Sequence, residues 1–532
     1  MSASTVSART PTIPAREFIA AVVDPGSFES WDVQPTPTEL SSEYAEVLLA
    51  ATRRSGTDEA VITGSGILGG RRVAVIAGEF SFLAGSVGLA TAERIAAALR
   101  RSTAEALPVI ASPASGGTRM QEGTPAFLAM VGIAAAIEHH KTAGNPYIVY
   151  LRHPTTGGAM ASWGSLGHLT FAQPRALLGF LGPRVYEALE GRPFPAGIQT
   201  AENLQRCGLV DGIVPLDRLR QLLRKVLDYA CGVSDVPGFD SGAEPPAAPT
   251  VDPWASVLRT RNKARPGVRE LLDFAASDVV LFEGAADSPG DPKAPAGLSS
   301  AVLLSLARFG GVRCVVVGQD RRAQAAGVLI GPEALRRARR GMRLAAALKL
   351  PLLTVIDTPG AELSAEAEEG GLAREIARCL AYLPTLPVPT LSFILGEGTG
   401  GAAIALLPAD RTVCSRHGWL SPLAPEGASA ILHRDTARAP ELTRSLRTSA
   451  QELLESGAID MVVAEEPDAA EEPENFCRRA GRAIERAFVD LLDDAGGTTG
   501  ERVWGGERIW DGERIWSRAA RYGAVFGVGT FR

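Results

Sequence analysis

Two stretches, PYIVYLRHPTTGGAMA (Pro146–Ala161) and PTLSFILGEGTGGAAIA (Pro389–Ala405), decide how this 532-residue chain is read. Each opens on proline, runs through an apolar strand-like segment, and reaches Thr-Gly-Gly at the head of an alanine-rich stretch. Pro146 stands against Pro389 and Gly157 against Gly400, both 243 residues apart. LPVIASPASGG (Leu107–Gly117) and LPLLTVIDTPG (Leu350–Gly360) keep that spacing. AVIAGE around Gly78 matches VVVGQD around Gly318 at 240, Pro183 matches Pro425 at 242, and Asp211 matches Asp460 at 249. Chance likeness of apolar strands yields one such match. An ordered series with small drifts indicates one unit written twice, with loop insertions.

Within each unit, β-rich runs (RVAVIAG, PVIAS, YIVYL; CVVVG, LLTVI, LSFIL) alternate with helical stretches such as ATAERIAAALRRSTAEAL and PEALRRARRGMRLAAAL. That alternation predicts an α/β fold with crossover helices. The Pro-, Gly- and acid-rich segment Gly232–Pro253 reads as a linker. The predicted organisation is a first domain over 1–236, a linker over 237–256, a second domain over 257–492, and a tail over 493–532. In the tail, GERVWGGERIWDGERIW repeats every six residues with Trp504, Trp510 and Trp516 in step, and reads as mobile or covered by a partner.

Composition narrows the function. Lys plus Arg number 54 against 60 Asp plus Glu, a formal charge of −6, so the basic footprint of a nucleic-acid binder is missing. No apolar run approaches the 18 residues of a membrane span, and the first residues lack the apolar core of a secretory signal, which predicts a cytoplasmic protein. The six cysteines are widely spaced with no C-x-x-C pair, so they read as reduced thiols and no metal site is predicted.

The two Thr-Gly-Gly loops carry the candidate chemistry. Adjacent glycines at a helix start let backbone N–H groups approach a ligand, which suits an oxyanion. An ordinary turn is the plain alternative, but recurrence at the same place in both halves favours two anion sites. GEGTGG (Gly396–Gly401) formally fits G-x-G-x-x-G, yet no acidic residue follows at the distance a dinucleotide fold requires. DTPG (Asp357–Gly360) imitates a GTPase loop without any phosphate-cradling partner and reads as a turn in a ligand cleft. His153, four residues before Gly157, is read as structural rather than catalytic. Glu366, Glu368 and Glu369 are read as a solvated helix start rather than a base.

SGGTRMQEG (Ser115–Gly123), PTTGGAMASWGSLGH (Pro154–His168) and LLGFLGPRVYEAL (Leu177–Leu189) resemble the β-type carboxyltransferase half of acetyl-CoA carboxylase. IDTPGAELSAEAEEGG (Ile356–Gly371), ILGEGTGGAAIA (Ile394–Ala405) and SPLAPEGASAIL (Ser421–Leu432) resemble the α-type half. The order is that of the single-chain carboxyltransferase subunits of biotin-dependent acyl-CoA carboxylases. The resemblance implies two tandem crotonase-like domains, the first facing acyl-CoA and the second biotin. It implies transfer of a carboxyl group from carboxybiotin to the α-carbon of a short acyl-CoA, with acetyl-CoA giving malonyl-CoA as the expected reaction and propionyl-CoA and longer chains left open.

By position, the amides of Gly157 and Gly158 would face the thioester and those of Gly401 and Ala402 the biotin ureido oxygen. Gly116, Gly117, Thr118 and Arg119 would line the acyl-CoA side, and Thr358, Pro359, Gly360 and Gly400 the biotin side. No methionine neighbours a lysine, so biotin is expected on a biotin carboxylase or carboxyl carrier partner. The resemblance also implies a homo-oligomer, at least a dimer and up to a hexamer. Two further readings are a decarboxylase of malonyl-type thioesters and a structural subunit of a mixed carboxylase. The four-cysteine zinc ribbon of the split bacterial enzymes is missing, and ELSAEAEEGG departs from the glycine-rich version usual in the α-type half.

Overall fold

The short apolar runs become strands because alternate faces, or both faces, are covered by the helices between them. In this computed structural model, residues 10–34, 42–180, 187, 191–232, 251–282 and 300–494 are described. The chain divides into two compact units, Met1–Ala230 and Cys231–Arg532.

The first unit contains β1 (Glu29–Ser30), β2 (Val61–Leu68), β3 (Arg71–Gly78), β4 (Val109–Ser112), β5 (Tyr147–Leu151), β6 (Thr155–Thr156), β7 (Leu169–Ala172), β8 (Leu178–Gly179) and β9 (Gly212–Ile213). Its main sheet runs β1-β2-β3-β4-β5-β7-β9, with β6 and β8 paired separately. β2 and β3 form an antiparallel hairpin, and β3, β4, β5, β7 and β9 run parallel. Helices Leu89–Ala104 and Gly123–Thr142 make the crossovers on either side of β4. Every residue of β4, β5 and β7 is buried, as a parallel sheet covered on both faces requires. Ile95, Leu99, Val109, Ile133, Ile137, Tyr147 and Trp163 belong to its core.

The second unit contains β10 (Ser277–Phe282), β11 (Val302–Phe309), β12 (Val312–Gln319), β13 (Leu352–Thr358), β14 (Thr390–Thr399), β15 (Arg411–Ser415), β16 (Trp419–Ser421) and β17 (Met461–Val463). It repeats the plan: a β11–β12 hairpin, then parallel β12, β13, β14, β15 and β17, with β16 beside the end of β14. Helices Pro332–Leu348 and Leu372–Tyr382 lie between successive parallel strands. Asp211 and Asp460 confirm the repeat in detail. Asp211 accepts from Thr170 N at 2.8 Å and Asp460 from Thr412 N at 2.6 Å, each through its carboxylate.

The strand ladders correct one pairing. Ala74 pairs with Val109 and Val315 with Leu352, so β3 and β12 match at a spacing of 241, and Gly78 falls on Gln319 rather than on Gly318. The neighbouring amides agree: Glu79 N donates to Ala60 O and Asp320 N to Ala301 O, both at 2.8 Å. A helix, Pro253–Thr260, begins inside the stretch read as linker, with proline at its first turn. Residues 233–250, Pro183 and the Trp-repeat tail lie outside the described residues.

Candidate active site

Both Thr-Gly-Gly loops sit at the carboxyl ends of parallel strands, where open α/β sheets bind ligands. In the first unit, Thr155 and Thr156 form β6, and the chain enters helix Gly157–Ala161. Gly157 has φ 62° and Gly400, which opens helix Gly400–Ile404, has φ 64°. The loops that precede them also correspond: Gly117 has φ 117° and Gly360 φ 139°. All four positions lie in a region that side chains disfavour.

Gly117 and Gly157 are packed back to back. A β-carbon on Gly157 would lie 3.0 Å from Gly117 Cα, and one on Gly117 3.3 Å from Gly157 Cα. Ser115 N donates to Pro154 O and Thr156 N to Ser115 O, both at 2.8 Å, which stitches the loop to β6. Gly116 N is spent on Ala84 O at 2.8 Å and Gly117 N on Ser115 Oγ at 3.0 Å, so this loop contributes shape rather than donors. Gly158 lies under Thr118, whose Oγ1 would be 2.8 Å from a β-carbon there.

Two expected roles change. Gly157 N donates to Phe180 O at 2.9 Å, so it is not a donor for a thioester oxygen. The spacing of 243 instead pairs Gly158 with Gly401 and Ala159 with Ala402. The amides of Gly158 and Ala159 fall in the first turn, where a helix supplies no acceptor of its own. Arg119 does not face a ligand either. It is 1% exposed and its guanidinium is taken by Glu59, by Glu122 at 3.2 Å, by Ser86 O at 2.9 Å and by Thr91 Oγ1 at 3.1 Å. A buried carboxylate claims this arginine because leaving either charge unpaired is costly.

In the second unit, Thr358 is buried beneath its loop, with Oγ1 2.7 Å from Gln324 Oε1 and 3.1 Å from Gly360 N. Pro359 is exposed and Gly360 sits against Thr399, a β-carbon there coming 3.7 Å from Thr399 Cγ2. A β-carbon on Gly401 would lie 2.7 Å from Ile376 Cδ1. Ala402 is buried, and its carbonyl accepts from Gln319 Nε2 at 2.8 Å.

The acids near this loop point inward. Asp357 Oδ1 accepts from Glu397 N at 3.2 Å, and burial raises the Asp357 pKa above the ordinary carboxylate value. Burial also raises that of Glu397, which Arg261 partly offsets from 3.1 Å. The other two glycines of GEGTGG are packing positions: β-carbons would come 2.4 Å from Asp357 Oδ1 at Gly396 and 2.5 Å from Trp419 O at Gly398. His153 Nδ1 accepts from Leu177 N at 3.0 Å, and burial lowers its pKa, so the ring is a neutral structural acceptor. Glu366, Glu368 and Glu369 are exposed on the short helix Ala365–Glu369, capped by Ser364. Among the described residues no group of His, Cys, Asp or Glu is arranged to hold a metal ion, and no helix is long and apolar enough to cross a membrane.

Sequence reasoning missed Ala159 and Gln319. The constant spacing already paired Ala159 with Ala402, whereas Gln319 needed the corrected strand register.

Two units, each a sheet whose strands follow one another in chain order and end on a glycine-lined helix start, have the crotonase-like carboxyltransferase fold. The family model described as "Carboxyl transferase domain" matches residues 13–521, and the chain belongs to that family. A probable biotin-dependent acyl-coenzyme A carboxylase beta3 subunit of Mycobacterium tuberculosis (strain ATCC 25618 / H37Rv) is 56% identical over 465 residues, 87% of this chain and 92% of that protein. The acetyl-coenzyme A carboxylase carboxyl transferase subunits beta/alpha of Salinispora arenicola (strain CNS-205) are 36% identical over 506 residues, 90% and 88% of the two chains. Transcarboxylase 12S, solved as a hexamer with methylmalonyl-coenzyme A bound, shares the fold at a TM-score of 0.72 and 19% identity, over 93% of this chain and 92% of that one. The chain is a carboxyltransferase component of the biotin-dependent acyl-CoA carboxylase type.

Proposed function

We propose that the two helix starts hold two oxyanions of one carboxyl transfer. The N–H groups of Gly158 and Ala159 take the thioester oxygen of a short acyl-CoA, and those of Gly401 and Ala402 take the ureido oxygen of biotin. The observation that carries this reading is the correspondence of Gly157 with Gly400 and of Gly117 with Gly360, at φ 62°, 64°, 117° and 139°. One such loop is compatible with a plain turn, but the same left-handed glycine geometry kept twice suits a reaction that develops an anion on each partner.

Carboxybiotin, delivered by a biotin carboxyl carrier partner, supplies the carboxyl group and the base for the α-proton. The chain's own part is to bind, orient and polarise. Amide donors suit the negative oxygens, and no side chain needs to gain or lose a proton. Gly116, Gly117 and Thr118 wall the acyl side, while Pro359, Gly360 and Gly400 wall the biotin side, with Thr358 holding that loop from below. Acetyl-CoA giving malonyl-CoA is the proposed reaction, in the cytoplasm. Met120, Phe127, Leu128 and Val131 are 80%, 63%, 59% and 68% exposed beside the acyl loop, apolar surface that supports assembly at least as a dimer.

The test follows malonyl-CoA and methylmalonyl-CoA consumption by the purified chain, with and without free biotin as acceptor. Biotin-dependent release of acetyl-CoA or propionyl-CoA supports carboxyl transfer and ranks the substrates. Release without biotin means a decarboxylase. No release from a folded oligomer, even with its biotinylated partner, means a structural subunit.

A further inference from the structure

Ala402 and Ala159 occupy the same place in the two units, and in both the carbonyl is pinned from outside the helix hydrogen-bond pattern. In helix Gly400–Ile404, Ala405 N takes Gly401 O and Leu406 N takes Ala403 O, both at 3.1 Å, which passes over the carbonyl of Ala402. The side chain of Gln319, fully buried at the end of β12, fills the gap. Its Nε2 donates to Ala402 O at 2.8 Å, and its Oε1 accepts from Asp357 N at 3.0 Å. One amide thus joins the start of the Asp357–Gly360 loop to the first turn of the helix.

The first unit does the same work with backbone. Gly164 N donates to Ala159 O at 2.9 Å, and the position equivalent to Gln319 is Gly78. A side chain there would be crowded, since a β-carbon on Gly78 would lie 3.0 Å from Ala114 N and 3.3 Å from Ala114 O. Two different donors serving one carbonyl indicates that the orientation of this peptide matters in both units. An amide side chain suits this bridge, since its oxygen accepts from one backbone group while its nitrogen donates to another.

We propose that Gln319 is a positioning residue for carboxyl transfer: it fixes the peptide that follows Ala402, and through the Ala402 Cα the adjoining peptides whose N–H groups, those of Gly401 and Ala402, face biotin. This rests on the reading of that helix start as an anion site. Gln319→Met keeps the volume and removes both hydrogen bonds; Gln319→Asn keeps an amide that is one methylene too short to span both partners. In the full chain, assayed with malonyl-CoA and free biotin, each lowers kcat at least tenfold with the thioester KM within twofold of wild type. Amide hydrogen exchange across residues 400–405 rises about tenfold in both, while residues 157–161 are unchanged. A purely structural role would lower the melting temperature and leave kcat and the local exchange alone. Gly401→Val is the reference. If it abolishes turnover while folded Gln319→Met or Gln319→Asn stays within threefold of wild type, the positioning role is wrong. If Gly401→Val itself keeps full turnover, the anion-site reading fails and the role of Gln319 with it. Gln319→Asn decides the matter if Gln319→Met does not fold.

Discussion

Replacing Gly401 with valine tests the second anion site most directly. Gly401 is not at positive φ, so the cost lies in space rather than backbone conformation. The new β-carbon would lie 2.7 Å from Ile376 Cδ1, with Ile376 Cγ1 and Cγ2 at 3.7 Å. Cδ1 is the mobile end of its side chain, so a single methyl can be absorbed, and Gly401→Ala should lose less than tenfold in turnover. A branched side chain adds two more carbons, and the five-residue helix must shift, carrying its first-turn amides away from the oxyanion. Loss of one such donor costs about 2.7 to 4 kcal/mol, a hundred- to thousandfold in rate. The assay is steady-state malonyl-CoA consumption with free biotin, alongside a thermal melt to confirm folding. The double variant Gly401→Val with Ile376→Ala removes the clash and should recover at least tenfold of the lost turnover. Full activity in Gly401→Val, or no recovery in the double variant, would refute the argument that displaced amides cause the loss.

Arg119→Met should destabilise the first unit by about 3 to 5 kcal/mol, because Glu59 is left charged and buried; denaturant unfolding measures this, and an unchanged midpoint contradicts the structural role. The acyl-CoA KM of the folded fraction should stay within twofold. His153→Ala should keep turnover within about threefold and lose about 1 to 3 kcal/mol of stability, since Leu177 N loses its acceptor. Glu465, fully buried against Arg265, has its pKa lowered: burial raises it, but Arg265 and the amide of His417 outweigh that. Its stabilisation is therefore complete above the unfolded value of 4.5 and disappears as pH falls through the lower folded value. Melts between pH 3 and 7 should show less acid sensitivity in Glu465→Gln than in the wild-type chain, and identical slopes would count against the pair.

The repeat was legible because its markers are residues that geometry forces. Pro146 and Pro389 stand immediately before β5 and β14, and Gly157 and Gly400 occupy left-handed backbone that a side chain does not enter cheaply. The buried parallel strands were legible as continuous apolar runs for a similar reason. Side-chain commitments were not. Arg119 stands in a glycine-rich loop and looked available, but its partner Glu59 is 60 residues upstream, and only the packed hairpin brings them together. The amide of Gly157 was lost in the same way, to Phe180 on an adjoining strand end. Gln319 stayed hidden because a one-residue error in matching β12 to β3 placed a glycine against a glycine, which looked natural and concealed a glutamine replacing one.

The pH dependence of turnover follows from which groups line the two sites. The first-turn donors are backbone amides, which do not titrate in any working range. His153 is held neutral by burial and used as an acceptor, Arg119 is locked in an ion pair, and Glu366, Glu368 and Glu369 point to solvent. The acids under the second site, Asp357 and Glu397, have raised pKa values, chiefly through burial, so acidification protonates them before ordinary carboxylates. Protonation of Asp357 weakens its hold on the amide of Glu397, two residues before Thr399, and loosens the strand that ends in the site. Turnover should therefore be level through neutral and mildly alkaline pH and fall on the acid side, where the raised carboxylates titrate before ordinary ones. A side-chain base would give a different shape, with an ionisation near neutrality that one substitution removes. If kcat rises through a pKa near 6 to 7 and that step vanishes in His153→Ala, the histidine is the base and backbone donors alone do not account for the reaction.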